Sequence, residues 1–128
     1  MKAAFLTVVY PGVEGYLEDF LLSLSEQVYS DFDLFIFNDG LNNLNESIKD
    51  YRNRLNIIVE NVDCSPVKIR EYGINKILNL GMYSAIIFGD SDDYFSKNRV
   101  LADVRLLESC DIVVSNLALV SQDKKMID

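Results

Sequence analysis

A three-layer α/β/α domain on a mostly parallel, Rossmann-like sheet is the fold class this sequence predicts, and two observations predict it. Runs of Val, Ile and Phe alternate with segments of helical periodicity in the order β-α-β-α-β-α-β-α-β. Several of those runs are apolar almost throughout, as in parallel strands covered on both faces and joined by right-handed crossovers. The 128 residues, 49% of them hydrophobic, suffice for one compact domain with its own core.

The first strand is AAFLTVV, Ala3 to Val9, which runs into Pro11 and Gly12, a good turn pair. From Glu14 to Val28, residues Leu17, Phe20, Leu21, Leu24 and Val28 recur at three- and four-residue steps, with Glu18, Asp19 and Glu26 opposite, which predicts a helix. FDLFIFN, Phe32 to Asn38, is the second strand, followed by a helix from Asn43 to Leu55 and a third strand from Asn56 to Val62. The third helix runs from Ser65 to Gly81, with Ser65 as N-cap, Pro66 at the first helical position and Gly81 as C-cap. SAIIFGD, Ser84 to Asp90, is the fourth strand, and a helix from Lys97 to Glu108 follows it. DIVVSN, Asp111 to Asn116, reads as a fifth strand, and NLALVSQD, Asn116 to Asp123, is strand-like beyond it.

Charge and composition narrow the functional classes. The formal charge of −8 argues against a nucleic-acid or anionic-membrane surface, because both associations run on clustered Lys and Arg. No nucleic-acid partner is expected. Cys64 and Cys110 are too far apart for a CxxC pair or a thiolate cage, and both are expected to stay reduced as small core hydrophobes. The absence of histidine excludes Ser-His-Asp and Cys-His nucleophile systems and His-ligated zinc within this sequence. With short apolar stretches and no cleavage-site pattern, a soluble protein without a transmembrane segment is expected, cytoplasmic and at most peripheral to the inner face of the membrane. Whatever chemistry exists runs on carboxylates.

In an open parallel sheet, ligands bind at the carboxyl ends of the strands, and three strand ends carry the unusual residues. They are YPGVEG (Tyr10 to Gly15), NDG (Asn38 to Gly40) and GDSDD (Gly89 to Asp93). The first two also read as plain turns, and acidic residues often cap helices. The third places Asp90, Asp92 and Asp93 within four positions. Carboxylates about 4 Å apart repel by about 4 kcal/mol at an effective dielectric of 20, so three at a sheet mouth ask for a cation or for protonation, unless each points separately into water. Oxygen ligands with open positions suit Mg²⁺ or Mn²⁺ shared with a diphosphate, with Arg70 as a local cation.

Over nearly its whole length the chain resembles the nucleotide-sugar-binding N-terminal half of family 2 glycosyltransferases of the GT-A fold. The resemblance rests on the opening strand with its Pro-containing loop, then a helix with Ser23, Leu24 and Gln27, then Tyr29, Phe32 and an Asp-Gly turn. REYGINKILNLGMYSAIIFGDSDDYF adds the Arg-x-x-Gly helix, a Gly turn and an apolar strand closing in Asp-x-Asp-Asp. It implies a cleft lined by Tyr10, Pro11 and Gly12 with Glu14 nearby. Asp39 would accept a hydrogen bond from base or ribose, and Arg70 would lie near base or phosphates. Asp90 and Ser91 would stand at the ribose or metal, with Asp92 and Asp90 as the metal ligands. Asp93 is either part of this group or a cap of the turn into the next helix.

It further implies an inverting transfer from a nucleotide-diphosphate sugar, a UDP-sugar by family frequency, to a saccharide or lipid-linked acceptor in polysaccharide biosynthesis. The catalytic base and acceptor region belong to the second half of such enzymes, so residues 1–128 are expected to be a C-terminally truncated donor half without the base. Departures from the family pattern are Asn38 before Asp39, Leu41 to Asn43 after it, Glu71 after the helix Arg, and Gly12 and Val13 after Pro11. They bear on donor preference more than on fold. A receiver domain is disfavoured because the first strand ends in Tyr10 and Pro11 instead of an acidic pair, and a haloacid-dehalogenase-like phosphatase for the same reason. The alternative of another class is a non-catalytic nucleotide-binding or scaffolding module of the same fold.

An uncovered sheet edge would also allow homo-oligomers. Size-exclusion chromatography at high concentration is expected to show a species larger than a monomer, and a clean monomer would count against that edge as a pairing surface.

Overall fold

The computed structural model describes residues 1–121, and its sheet is parallel throughout. In chain order the elements are β1 (Ala3–Val9), α1 (Glu14–Ser25), β2 (Phe32–Asn38), α2 (Leu44–Ile48) with a 3-10 turn (Lys49–Tyr51), β3 (Ile57–Asn61), α3 (Pro66–Leu80), β4 (Ala85–Phe88) and α4 (Arg99–Leu107). The four strands stand in the order β3-β2-β1-β4. The chain builds outward from β1 through β2 to β3, then crosses back through α3 to place β4 on the other side of β1. That reversal is a topological switch point at the carboxyl ends of β1 and β4, the place where open α/β sheets bind ligands.

Period-2 alternation along each strand divides the core between two faces. Ala3, Phe5 and Val9 of β1 and Leu34 and Ile36 of β2 pack under α1, α2 and α4, through Leu17, Phe20, Leu21, Leu24, Ile48, Val100 and Val104. Ala4 and Leu6 of β1 and Phe35 and Phe37 of β2 pack under Ile69 and Ile77 of α3. β1 and β2 are interior strands buried along nearly their whole length, whereas β3 and β4 are partly exposed edges. α3 lies close to the sheet at Gly73, where an added Cβ would stand 2.8 Å from the Phe37 ring and 3.0 Å from Leu6.

Several elements differ from the sequence expectation, each for a local reason. α1 ends at Ser25, short of Val28, because the chain beyond it turns to hold the α4 region. Gln27 donates to Ser23 O and Ser96 O and accepts from the Val100 N–H, while the Val28 N–H donates to Lys97 O. Val28 is correspondingly exposed. The second helix is a single short turn and a 3-10 turn, entered through Asn43 in the left-handed region (φ 61°). Ser65 and Gly81 flank α3 as expected, Gly81 in the left-handed conformation (φ 69°), although the Ser65 side chain makes no capping bond.

The fifth strand, Asp111 to Asn116, is absent: the segment is mostly exposed and has no ladder partners, with Ile112 and Val114 at 80% and 89% exposure. Ser115 donates to Asp103 of α4 at 3.2 Å. Of the strand-like stretch Asn116 to Asp123, residues 116–121 form no strand beyond a bridge residue at Val120, and Gln122 and Asp123 lie outside the described residues. Cys64 packs half-buried against the α3-side core, but Cys110 is exposed and so is not a core residue; both are free thiols. Among the described residues no helix is long and apolar enough to cross a membrane.

At the amino end of the sheet a buried carboxylate, Asp33, ties four elements together. It accepts from Tyr83 Oη (2.5 Å) and Asn56 Nδ2 (2.9 Å) and pairs with Lys2 Nζ (3.4 Å). Burial pushes its carboxyl up, but the bonds from Tyr83, Asn56 and Lys2 outweigh burial and hold it below the usual range. A depressed folded-state value adds stability above the unfolded value of about 3.9, and that stability is lost as pH falls through the folded value. Urea denaturation is therefore expected to show the wild type weakening from about pH 4 downward, with Asp33→Asn flattening that dependence and lowering stability at pH 7 by about 1–3 kcal/mol.

Candidate functional site

The acidic turn is assembled by anchors on the neighbouring strand. The Gly89 N–H donates to Leu6 O (3.2 Å) and Ser91 Oγ to Val8 O (2.7 Å), so the turn after β4 is stitched to β1. Ser91 is buried, and the Asp93 N–H closes the turn on Asp90 O at 3.1 Å. Phe95 then dips back into the core, edge-on to Phe5 (5.4 Å between ring centroids) and Phe20 (5.7 Å). Between these anchors only a glycine fits at position 89, since a Cβ there would lie 2.5 Å from the Phe5 ring and 2.8 Å from Phe95.

With its backbone held, the turn brings Asp90, Asp92 and Asp93 together. One carboxylate oxygen from each lies within 4.8 Å of the others, and all three residues are exposed. Partial burial, then Asp92 and Asp90, push the Asp93 carboxyl up, with Arg99 acting weakly in the other direction. Tyr10, at the end of β1, feels the same field: burial first, then Asp92, Asp90 and Asp93, raise its phenol. Three mutually close hard oxygen donors beside open solvent fit Mg²⁺ or Mn²⁺, with coordination positions left for a ligand's oxygens. α4 begins at Arg99 after Asn98, so Asp93 does not cap that helix.

The turns after β1 and β2 stand at the same end of the sheet. Asn38 is buried and clamps the second turn, its Nδ2 donating to Leu41 O and its Oδ1 accepting from the Leu41 N–H. The Asp39 N–H donates to Val9 O, and Pro11 packs 3.8 Å from where a Cβ on Gly40 would stand, so the β1 and β2 turns support one another. Gly40 and Gly12 both adopt positive φ, 87° and 105°, which explains glycine at each. From the α3 side, Arg70 reaches Asp90 at 3.4 Å, an exposed pair worth little to stability but one that brings a cation to the acidic turn.

Two residues expected at a ligand also make internal bonds. The Ser91 hydroxyl is committed to β1, which makes it a brace of the acidic turn. The Glu14 carboxylate accepts from the Gly12 N–H at 2.8 Å, which ties down the loop before α1. Sequence reasoning missed Arg99 as a brace. Its Nε meets Asp103 (2.7 Å), one Nη donates to Phe88 O (3.0 Å), and its guanidinium lies 5.1 Å from the centre of the Phe95 ring. The i,i+4 spacing of Arg99 and Asp103 was the signal for the first of these contacts.

No family model and no curated protein matches the chain. Solved structures do, and they share its α/β, Rossmann-like fold. S. aureus TarS 1-349 superposes with a TM-score of 0.66 at 24% identity over 84% of this chain. Its complexes with UDP and with UDP-GlcNAc each give a TM-score of 0.69 at 25% identity over the same share. The chain spans about a third of the length of these TarS chains.

Because position 89 has no room, Gly89→Ala is expected to lower stability by about 1–3 kcal/mol, the usual cost of overpacking. It should also spread the three carboxylates, read as weaker Mn²⁺ binding in a calorimetric titration under conditions where the variant is still folded.

Proposed function

We propose that the chain is the donor half-site of an inverting glycosyltransferase, resembling family 2 of the GT-A fold, that moves a sugar from a nucleotide diphosphate to an acceptor hydroxyl. One observation carries the reading. The fold's topological switch point, where ligands of open α/β sheets bind, coincides with three converging carboxylates and a nearby cation. TarS, which shares the fold, has been solved with UDP and with UDP-GlcNAc, and this supports a UDP-sugar as the donor.

Within the cleft, Tyr10, Pro11 and Gly12 form the wall against the nucleoside, and Asp39 accepts from base or ribose. Arg70 meets a phosphate at the cost of its exposed pair with Asp90. Asp92 and Asp90, with Asp93 beside them, would hold Mg²⁺ or Mn²⁺, whose charge offsets that of the departing diphosphate. In the transfer, the acceptor oxygen bonds to the anomeric carbon as the bond from that carbon to the diphosphate oxygen breaks. The diphosphate leaves with the electron pair, and the hydroxyl proton passes to a base that we assign to no residue of this chain. A saccharide or lipid-linked acceptor, polysaccharide synthesis and a cytoplasmic setting belong to the same proposal. A non-catalytic nucleotide-binding or scaffolding module of the same fold is the second reading.

Calorimetric titration with UDP in Mn²⁺ is expected to show binding that EDTA abolishes and that Asp92→Ala weakens by tenfold or more, about 1.4 kcal/mol, with GDP weaker than UDP. No binding of either nucleotide under any condition would overturn the donor-site reading.

A further inference from the structure

Arg70 and Arg99 both stand beside the acidic turn, and they are held very differently. Arg99 makes three contacts at once, its Nε with Asp103 (2.7 Å), one Nη with Phe88 O (3.0 Å) and its guanidinium 5.1 Å from the centre of the Phe95 ring. Arg70 makes one ion pair, to the Asp90 carboxylate at 3.4 Å, and the two side chains are 63% and 66% exposed. That loose contact is made from a firm base. Ile69, just before it, is fully buried, and three residues further on α3 lies close against Phe37 and Leu6 at Gly73. The helix backbone thus keeps the guanidinium within reach of Asp90 while the side chain itself lies largely in water.

The Asp90 carboxylate has two calls on it. It pairs with Arg70, and one of its oxygens lies within 4.8 Å of an oxygen of Asp92 and of Asp93. While Arg70 stays, part of the negative charge of the cluster is offset from within the chain. This lowers the repulsion among the three carboxylates and equally lowers their attraction for a cation from outside. A divalent ion among three carboxylates gains several attractions where Arg70 gains one. Once bound, it offsets the charge that held the guanidinium and repels it. The planar fork of arginine fits phosphate as well as it fits carboxylate, so a diphosphate drawn to the ion offers the freed side chain a new partner.

Building on the donor-site reading, we propose that Arg70 is an internal counter-cation of the carboxylate cluster, which competes with the divalent ion for Asp90 and passes to a ligand phosphate once the ion is bound. Arg70 therefore acts with opposite sign on the two ligands, against the ion alone and for the nucleotide in its presence. Ion and nucleotide favour one another partly through this side chain. A guanidinium that only held Asp90 in place would favour both.

The test is a titration with Mn²⁺ alone, followed by the EPR signal of the free ion, and calorimetric titration of UDP in saturating Mn²⁺. Both are run on the wild type, Arg70→Gln and Lys68→Gln. Lys68 is exposed on the first turn of the same helix, and its substitution removes the same charge. Arg70→Gln is expected to bind Mn²⁺ alone about two- to fivefold more tightly, the scale of an exposed ion pair. It should bind UDP in Mn²⁺ about tenfold more weakly, the scale of a hydrogen bond to a charged group. Lys68→Gln should match the wild type in both. In an Asp90→Asn background, which keeps Asp92 and Asp93, Arg70→Gln should no longer alter Mn²⁺ binding. With a wild type that binds UDP, unchanged or weaker Mn²⁺ binding in Arg70→Gln overturns the exchange alone. An equal gain in Lys68→Gln also overturns it, by reducing the effect to net charge. A wild type that binds no UDP fails the donor-site reading, and the exchange, whose second half needs a phosphate, falls with it.

Discussion

The close approach of the β4 turn to β1 is the constraint on which the rest of the site depends. Gly89 sits against the Phe5 and Phe95 rings, and Ser91 reaches across to Val8 O. These are core contacts, made of aromatic packing and a buried hydrogen bond, and they fix a backbone whose side chains then emerge into water. Carboxylates that repel one another do not gather unaided; here the packing of Phe95 between Phe5 and Phe20 offsets that repulsion. The energy that holds the acidic turn is hydrophobic, while its chemistry is electrostatic.

The same logic bears on the proposed reading, in which a protein of charge −8 takes a polyanionic ligand. Long-range attraction works against it, so affinity has to come from local positive charge: Arg70 on one side and a divalent cation among Asp90, Asp92 and Asp93. Arg99, which a charge count would offer as a further phosphate anchor, is engaged in holding α4 to the end of β4. An acidic site of this kind discriminates strongly. In the proposed site the carboxylates alone would repel phosphates, and a bound cation would reverse that.

Positions that depart from the family pattern acquire structural roles in the fold. Asn38 stands where the family usually has an acidic residue, and its amide closes the second turn by bonding both ways to Leu41, which a carboxylate could do in one direction only. Gly12 takes a positive φ in the first turn, and Glu14 caps it by accepting from the Gly12 N–H. The loops at this end of the sheet are thus braced internally, at side chains and backbone positions that would otherwise read as ligand contacts.

The sequence by itself determined the fold class, the bounds of β1 and β2 to the residue, and the three strand ends that carry the candidate site. It could do so because hydrophobic periodicity, proline and glycine act locally, within a few residues of where they stand. Tertiary structure alone decided what those residues do. That Ser91 bonds to β1, that position 89 must be glycine and that Arg99 is engaged all follow from partners distant along the chain, such as Val8 and Phe5. The segment from Asp111 to Asn116 shows the same boundary from the other side. Its apolar residues read as a strand, yet a strand exists only where a neighbouring edge accepts its hydrogen bonds, and among the described residues the segment has no such partner.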